Sequence, residues 1–482
     1  MKKKVFPLYV HVGVYAVVLF VVLWLLWYVN YKYLLTWYEG FDFFSTSSDM
    51  MFLSALFPRD IFAYIGSFLL QFYYYPSIGA AIQSAFAVGV MLCAVVAVTR
   101  LLADSKHALW IALLPVPFFV GGQFEEFYLS RSLLWLSLSM VMAVLVSLLT
   151  VRKRGFVRLP SFMLRPVCAS AASVVILLWS AYNLLYKEES PRQYNQFFHM
   201  EYLADRGQWD DLLKIATPAE AATNDMARHY ALLALLEKGK LPDCFLIYGA
   251  TNRGDFYFPD NKEPFCLSFN ALLYRSLGLP NRVIENTFQQ QFHSTFGTSF
   301  ATLRRMADTM LDMQNYPMAR KYLDILSHST LMSSWAEDRR PRLEAIKGKT
   351  PVYRQEGEQV YTSDLMQLAA EMYNRYPDER RYADLLLSGL LAERLMEEFY
   401  SAFEIIAPKH YAHGERVPRC YEEALMIVST GNPGVLDRFH VSGEVQRAFD
   451  DVRTLARQGD IAQLQTLLPN SYWTYFYSNI GS

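Results

Sequence analysis

Six charged residues stand in two short polar segments that flank apolar stretches in the first 130 residues. They are Asp42, Asp49, Arg59, Asp60, Glu125 and Glu126. Carboxylates beside a membrane can act as a general base, and they can also hold a metal ion or a phosphate. We therefore treat these six as the candidate catalytic residues. The alternative reading is ordinary hydrated loop charge.

An aromatic cluster follows the first of these segments, in the stretch from Gln71 to Gly79. Tyr73, Tyr74 and Tyr75 are consecutive and precede Pro76. The three rings could form a stacking wall that binds a sugar or a lipid headgroup. Alternatively, they form an aromatic belt at headgroup level, where the phenolic tips stay in water.

Other chemistry finds little support in the sequence. The sequence contains no metalloprotease, nucleophile-elbow, P-loop or dinucleotide-binding motif in the secondary-structure context that such a motif requires. His410 and His413 have the spacing of metal ligands, but no further Cys or His completes a set. We predict no metal and no cofactor, and the sequence favours a protein without enzymatic activity.

The elements that position these residues are apolar stretches of membrane-spanning length. An α-helix needs about 20 apolar residues to cross the hydrocarbon core. The sequence predicts five spans, of which the third is short and contains Pro115 and Pro117. They are Pro7–Val29, Ser77–Val98, Ala108–Phe124, Leu129–Thr150 and Val167–Tyr186. Residues 61–75 are short for a span, which favours an interfacial or re-entrant helix. In the alternative version residues 61–75 span and residues 108–124 do not, and the C-terminal domain again lies outside.

Charge asymmetry predicts how the chain is oriented. Residues 1–186 carry 13 Lys/Arg against 7 Asp/Glu, and the 151–165 loop alone holds five cations. Basic loops stay in the cytoplasm. Five spans then place the N-terminus in the cytoplasm and the C-terminal domain in the periplasm of a bacterial inner membrane. Residues 187–482 carry 32 Lys/Arg against 39 Asp/Glu, which excludes a basic surface for nucleic acid.

Paired short helices joined by regular turns are predicted after residue 190. The turn positions Gly207, Gly239, Gly278 and Asn315 are 32, 39 and 37 residues apart. Such periods indicate tetratricopeptide-like helical repeats. We therefore predict an all-α fold with a transmembrane domain (1–186), repeats (187–340), a linker (341–361) and C-terminal repeats with an aromatic cap (362–482).

Two resemblances extend these expectations. An N-terminal span, the Gln71–Gly79 stretch, further spans and a degenerate tetratricopeptide array together resemble an uncharacterised family of Bacteroidota membrane proteins. Residues 31–98 are similar to the start of membrane glycosyltransferases that use polyprenyl-linked sugars. Those enzymes place an acidic residue in the first outer loop, where this chain has Asp42 and Asp49.

Taken together, the sequence predicts a scaffold anchored in the lipid bilayer, whose helical repeats bind an envelope protein or peptide. The alternative is a glycosyltransferase, or a component of envelope glycan assembly, that acts on a lipid-linked glycan through its loop carboxylates.

Overall fold

The computed structural model describes residues 8–46, 58–102, 109–124, 128–151, 155, 157–187, 190–294, 297–351, 364–411 and 416–478. Regular secondary structure in these ranges is helical, and the one β-type pairing among them is an isolated bridge between Leu102 and Val157. The all-α prediction is thereby confirmed. The chain forms two compact units. Residues 1–199 and 294–350 make up the membrane unit, and residues 200–293 and 351–482 make up the hairpin unit.

The described part of residues 1–186 contains seven α-helices with short 3-10 turns between them. The helices are α1 (Leu8–Asn30), α2 (Lys32–Tyr38), α3 (Pro58–Leu70), α4 (Pro76–Leu101), α5 (Pro115–Gly121), α6 (Tyr128–Leu149) and α7 (Pro166–Tyr186). Proline opens α4, α5 and α7, because its missing N–H would have no partner in a first helical turn.

Short helices make up the rest of the chain. They are α8 (Ser190–Asp205), α9 (Trp209–Ile215), α10 (Pro218–Ala221), α11 (Asp225–Glu237), α12 (Leu241–Cys244), α13 (Pro264–Ser276), α14 (Pro280–His293), α15 (Phe300–Asp312), α16 (Tyr316–Ser327), α17 (Met332–Glu337), α18 (Arg340–Ala345), α19 (Leu365–Arg375), α20 (Arg380–Ala392), α21 (Met396–His410), α22 (Arg419–Ser429), α23 (Val435–Arg438), α24 (Gly443–Gln458), α25 (Ile461–Leu467) and α26 (Tyr472–Tyr477). Of these, α15 to α18 and the part of α8 up to His199 belong to the membrane unit.

In the described part of the chain, four helices, α1, α4, α6 and α7, are long and apolar enough to cross a membrane. They correspond to four of the five predicted spans. The segment predicted as the third span is a 3-10 turn, Leu109–Leu113, followed by α5. It and the Ile61–Tyr74 helix are apolar but shorter.

Specific contacts define two ends of this bundle. Tyr31 donates its hydroxyl to the Leu184 carbonyl (2.7 Å), and its ring meets the edge of Phe124. We call this the Tyr31 end. At the other end, the amides of Gly155 and Val157 donate to the carbonyls of Arg100 and Leu101, both at 3.1 Å. We call this the Arg100 end.

Recurrent helix ends explain the regular turn spacing. Six of them place one residue in the left-handed region, with φ between 56° and 72°. The amide of the residue that follows the left-handed residue then donates to a carbonyl five residues earlier, as in a Schellman motif. The six residues are Gly207, Gly239, Gly278, Gln314, Arg394 and Gly459. In the fourth turn the left-handed residue is Gln314, because Asn315 instead caps α16 through Met318 N–H.

The aromatic C-terminal helix packs inside the hairpin unit. Tyr472 and Trp473 are fully buried. The buried Glu423 side chain accepts hydrogen bonds from Ser471 Oγ (2.8 Å) and the Tyr472 amide (2.6 Å). The Trp473 indole N–H donates to the Glu423 carbonyl at 2.8 Å. The tail covers α22, as a cap on the last helices does.

Candidate functional site

The structure describes one of the six candidate charged side chains. Asp42 lies directly after the 3-10 turn Glu39–Phe41. Asp49, Glu125 and Glu126 lie outside the described residues. Arg59 and Asp60 fall in the first turn of α3, but their side chains are outside the described part of the chain. The structure therefore brings Asp42 together with residues that sequence reasoning did not select.

The Asp42 carboxylate lies between the first loop and α3. Its Oδ2 accepts a hydrogen bond from Ser67 Oγ, and its Oδ1 accepts one from the Phe43 amide at 2.7 Å. Burial raises the pKa of this carboxyl, although the hydrogen bonds from Ser67 and Phe43 oppose the rise. A carboxylate with a raised pKa binds a proton more readily than an ordinary aspartate does, which suits a general base.

A buried ion pair lies one turn before Asp42. The Glu39 side chain is 1% exposed, and both of its oxygens accept hydrogen bonds from Arg304 on α15. The Arg304 Nη2 to Glu39 Oε2 distance is 2.8 Å. The Arg304 guanidinium also lies 5.3 Å from the centre of the Tyr74 ring. Two-point pairing of this kind fixes both orientation and distance, so it anchors the first loop on α15.

Gln71 and Thr46 also contact the segment that carries Arg304, within the membrane unit. The buried Gln71 accepts a hydrogen bond from the Leu331 amide (2.9 Å) and donates one to the Phe68 carbonyl (2.9 Å). The Thr46 amide and hydroxyl both donate to the His328 carbonyl, at 2.9 and 2.8 Å. Residues 39–46 and 71 thus share hydrogen bonds with residues 300–331.

Helix α3 has two different faces at this site. Ser67 faces Asp42, and Gly66 approaches Ser130 so closely that an added Cβ would lie 3.2 Å from its hydroxyl. Ile61 and Ile65 lie exposed on another face. An uncovered apolar face beside candidate membrane-spanning helices suits an interfacial position in a bilayer.

The three tyrosines of the aromatic cluster occupy different environments. Tyr73 is fully buried, and an added Cβ on Gly79 would lie 3.0 Å from its ring. Tyr74 is half-buried beside Arg304, while Tyr75 is 48% exposed. Tyr74 and Tyr75 meet edge to face at 5.3 Å. The binding role predicted for the cluster stays a prediction.

Among the described residues, no three His, Cys, Asp or Glu side chains are arranged to hold a metal ion. His413 lies outside these residues, and His410 Nε2 donates to the Pro377 carbonyl at 2.9 Å. The site can therefore be described from its protein groups as one carboxylate, Asp42, held beside a buried ion pair at the Tyr31 end of the bundle.

Sequence reasoning missed Glu39, Gln71 and Arg304 as site residues. Glu39 was visible as a loop carboxylate next to the first span, and Gln71 opened the aromatic cluster. Arg304 lies 265 residues from Glu39 in the chain, within a helix whose pattern indicates only a repeat. No local pattern links the two.

These features define a class of all-helical protein that joins candidate membrane-spanning helices to a unit of helical hairpins. The chain belongs to the family of unknown function DUF6057, whose model matches residues 7–196 and 189–479. No curated protein and no solved structure matches it. The Bacteroidota origin and the tetratricopeptide likeness stay predictions.

Proposed function

We propose that the protein is a membrane-anchored scaffold of the bacterial cell envelope, whose hairpin unit binds a protein or peptide partner on the periplasmic side. The observation that carries the proposal is the recurring left-handed helix end, which occurs at Gly207, Gly239, Gly278, Arg394 and Gly459 within the hairpin unit. Repeated turns of one geometry suit tandem hairpins, and stacked hairpins of tetratricopeptide type create extended binding surfaces. The predicted domain limits at 186, 340 and 361 belong to this proposal.

Five crossings and a periplasmic C-terminal domain are the topology we propose. The amides of Gly155 and Val157 bond to the last residues of α4, while Gln123 reaches Gln83 near the beginning of α4 (2.6 Å). Residues 83 and 101 are about 27 Å apart along a helix that rises 1.5 Å per residue. The chain between Leu102 and Gln123 would therefore return across most of the bilayer, which supports α5 and its preceding turn as the third crossing.

Cysteine accessibility tests this topology. We expect Arg158→Cys to be protected from a membrane-impermeant thiol reagent in intact spheroplasts and Gln208→Cys to be labelled. The parent protein with its native cysteines provides the background. Labelling at residue 158 with protection at residue 208 would contradict the proposal, through a reversed orientation or through loss of the third crossing. Labelling at both positions would mean that α7 does not cross.

Photo-crosslinking in living cells tests the scaffold function. A photoreactive residue placed at Ile405 or Leu467, both exposed on the hairpin unit, should give a discrete protein adduct of the same mass in repeated preparations. The same residue at Leu149, which is exposed on α6, is the matched control and should crosslink to lipid. If no position across the hairpin unit yields a protein adduct, the scaffold proposal fails.

A glycosyltransferase is the second candidate function, and the Asp42 site favours it. Burial raises the pKa of this carboxyl, Ser67 holds it in place, and the uncovered face of α3 would bring it to the membrane interface. A lipid-linked glycan substrate would reach the carboxylate at that level. Asp49 remains the alternative acidic residue of the loop.

Substitution of Asp42 decides between the two functions. Asp42→Asn keeps the shape and an acceptor for the Phe43 amide but cannot act as a base. The transferase proposal expects loss of one surface glycan species in this variant, with normal glycans for the exposed control Asp338→Asn. Unchanged glycans in Asp42→Asn and in Asp49→Asn, at normal protein levels, would remove the transferase and leave the scaffold.

A further inference from the structure

Positive charge is concentrated in the part of the C-terminal half that belongs to the membrane unit. Residues 294–350 contain nine Lys/Arg and six Asp/Glu. The hairpin unit contains 21 Lys/Arg and 31 Asp/Glu. The membrane unit therefore carries a basic segment within a C-terminal half that is otherwise acidic. Anionic bilayer surfaces attract such segments.

A groove on α16 gathers part of this charge. It is a shallow groove, open to solvent, of about 430 Å³, and it is lined by Pro317, Arg320, Lys321, Asp324, Ile325 and His328. Its walls combine two cationic side chains with the apolar surfaces of a proline and an isoleucine. A lipid headgroup and the first part of its acyl region present the same combination of anionic and apolar groups.

The cations in the groove are not fully neutralised by the protein. Lys321 is exposed and has no ion pair or hydrogen bond with any other described residue. The groove's carboxylate, Asp324, is shared between Arg340 (3.0 Å) and Arg320, whose Nε is a longer 3.5 Å away. Net positive charge therefore remains on this face of α16.

Hydrogen bonds place the groove next to the start of a candidate span. The α16–α17 turn contains His328, whose carbonyl accepts from Thr46, and Leu331, whose amide donates to Gln71. Gln71 precedes the first residue of α4 by only five positions. Lys321 lies about 10 Å from His328 along α16. The groove thus lies within reach of the headgroup layer in which α4 begins.

From these contacts and charges we infer that the α16 groove binds the phosphate-bearing headgroup of an anionic phospholipid from the leaflet at the Tyr31 end. Lys321 and Arg320 contact the phosphate, and Pro317 and Ile325 pack on the glycerol and acyl carbons. The bound lipid would hold residues 294–350 against the bilayer from the outside, in addition to the Glu39–Arg304 pair.

Lipid retention by the full chain tests this site. The chain is reconstituted in nanodiscs of phosphatidylcholine with phosphatidylglycerol, and retained lipids are counted by native mass spectrometry. We expect preferential retention of phosphatidylglycerol by the wild type. Arg320→Gln/Lys321→Gln should weaken it roughly five-fold for each cation removed, since one surface cation contributes about 1 kcal/mol. Lys347→Gln/Lys349→Gln loses the same charge outside the groove and should retain the lipid.

Three outcomes would overturn the inference. Equal retention by all three proteins would show that the groove takes no lipid. Equal loss in both double variants would show diffuse surface attraction instead of a site. The third outcome concerns inorganic phosphate, which is added to the protein in pure phosphatidylcholine discs. If it raises the unfolding temperature as much as phosphatidylglycerol in the disc does, the ligand is a soluble phosphate. Unfolding temperatures in pure phosphatidylcholine, expected to match for all variants, confirm that each protein is folded.

Discussion

At the residue scale, Asp384 is a carboxyl whose pKa is set mainly by burial. The residue is 2% exposed, and its two donors, the Tyr411 hydroxyl and Arg380 Nε, are both 3.4 Å away. Burial raises the pKa of this carboxyl to about 6, and the hydrogen bonds and charge of Arg380 only partly oppose the rise. The native state therefore binds the Asp384 proton more tightly than the unfolded state does.

Asp384→Asn should stabilise the hairpin unit at neutral pH. Because the folded pKa lies above the unfolded value of 3.8, stability falls as pH rises from about 4 to about 6 and stays low above that window. The neutral amide removes this penalty, which is at most about 3 kcal/mol. Thermal unfolding of the purified chain between pH 4 and pH 7.5 measures it.

Exposed Asp338→Asn serves as the control and should leave the pH profile unchanged. An Asp384→Asn variant that unfolds at a lower temperature than the wild type at pH 7 would contradict the assigned cause. That outcome would mean that the ionised carboxylate stabilises the fold through Arg380.

The Glu39–Arg304 pair should behave as a buried ion pair. Arg304→Met leaves the Glu39 carboxylate buried without its cation, and we expect a loss of about 3 to 5 kcal/mol. The double variant Glu39→Gln/Arg304→Met should recover much of that loss, because no unpaired charge remains. Denaturation of the full chain in detergent measures both. If the single and double variants lose the same stability, the packing of Arg304 matters more than its charge.

At this scale the sequence identified Asp42 but not its surroundings. The loop carboxylate was recognisable because it follows a span of transmembrane length. Its neighbour Glu39 became significant only through Arg304, and Gln71 only through the Leu331 amide. Both partners come from remote parts of the chain, so no window of local sequence contains the site.

At the scale of elements, left-handed helix ends are the best-specified feature of the fold. Gly239 has φ of 62°, and an added Cβ would meet nothing within 4 Å. Gln314 has φ of 56° in an equivalent turn. Substitutions at these two positions therefore measure the cost of backbone strain separately from the effect of side-chain packing.

Opposite substitutions should have opposite effects at these turns. Gly239→Ala should destabilise the chain by about 1 kcal/mol, because an L side chain strains the left-handed conformation. Gln314→Gly should stabilise it by up to about 1 kcal/mol for the same reason. Unfolding temperatures provide the measurement. Destabilisation by both would mean that the Gln314 side chain contributes more contact energy than its backbone strain costs.

The sequence predicted helices and turns where prolines, glycines or long apolar stretches specify them. Prolines mark the first turns of α4, α5 and α7, and glycines mark three of the turns that the spacing identified. The fourth turn was displaced by one residue, since Asn315 serves better as a helix cap and Gln314 accepts the strained position.

At the scale of the whole molecule, residues 294–350 complete the membrane unit. We expect a fragment ending at His199 to expose residues 39–46, because the partners of Glu39, Gln71 and Thr46 are then missing, whereas Asn195 still holds the first turn of α2. A protease specific for glutamate should cleave after Glu39 faster in this fragment than in the full chain. Supplying residues 294–350 as a separate chain should restore protection. Equal cleavage rates in the fragment and the full chain would show that the first loop is ordered on its own.

Composition separated an apolar N-terminal half from a mildly acidic C-terminal half. It did not indicate that a middle segment of the second half packs with the first. Helices α15 and α16 have the same amphipathic pattern as the helices of the hairpin unit. Amphipathic periodicity shows that a face is buried but not which surface covers it.

This chain order has a consequence for biosynthesis. A ribosome adds about 5 to 20 residues per second, and about 125 residues separate Tyr186, the end of α7, from Asp312, the end of the helix that carries Arg304. The nascent chain therefore waits roughly 6 to 25 seconds between synthesis of α7 and completion of that helix. During that interval Glu39 lacks its partner Arg304, so the surface of the first loop stays unfinished until α15 has been made.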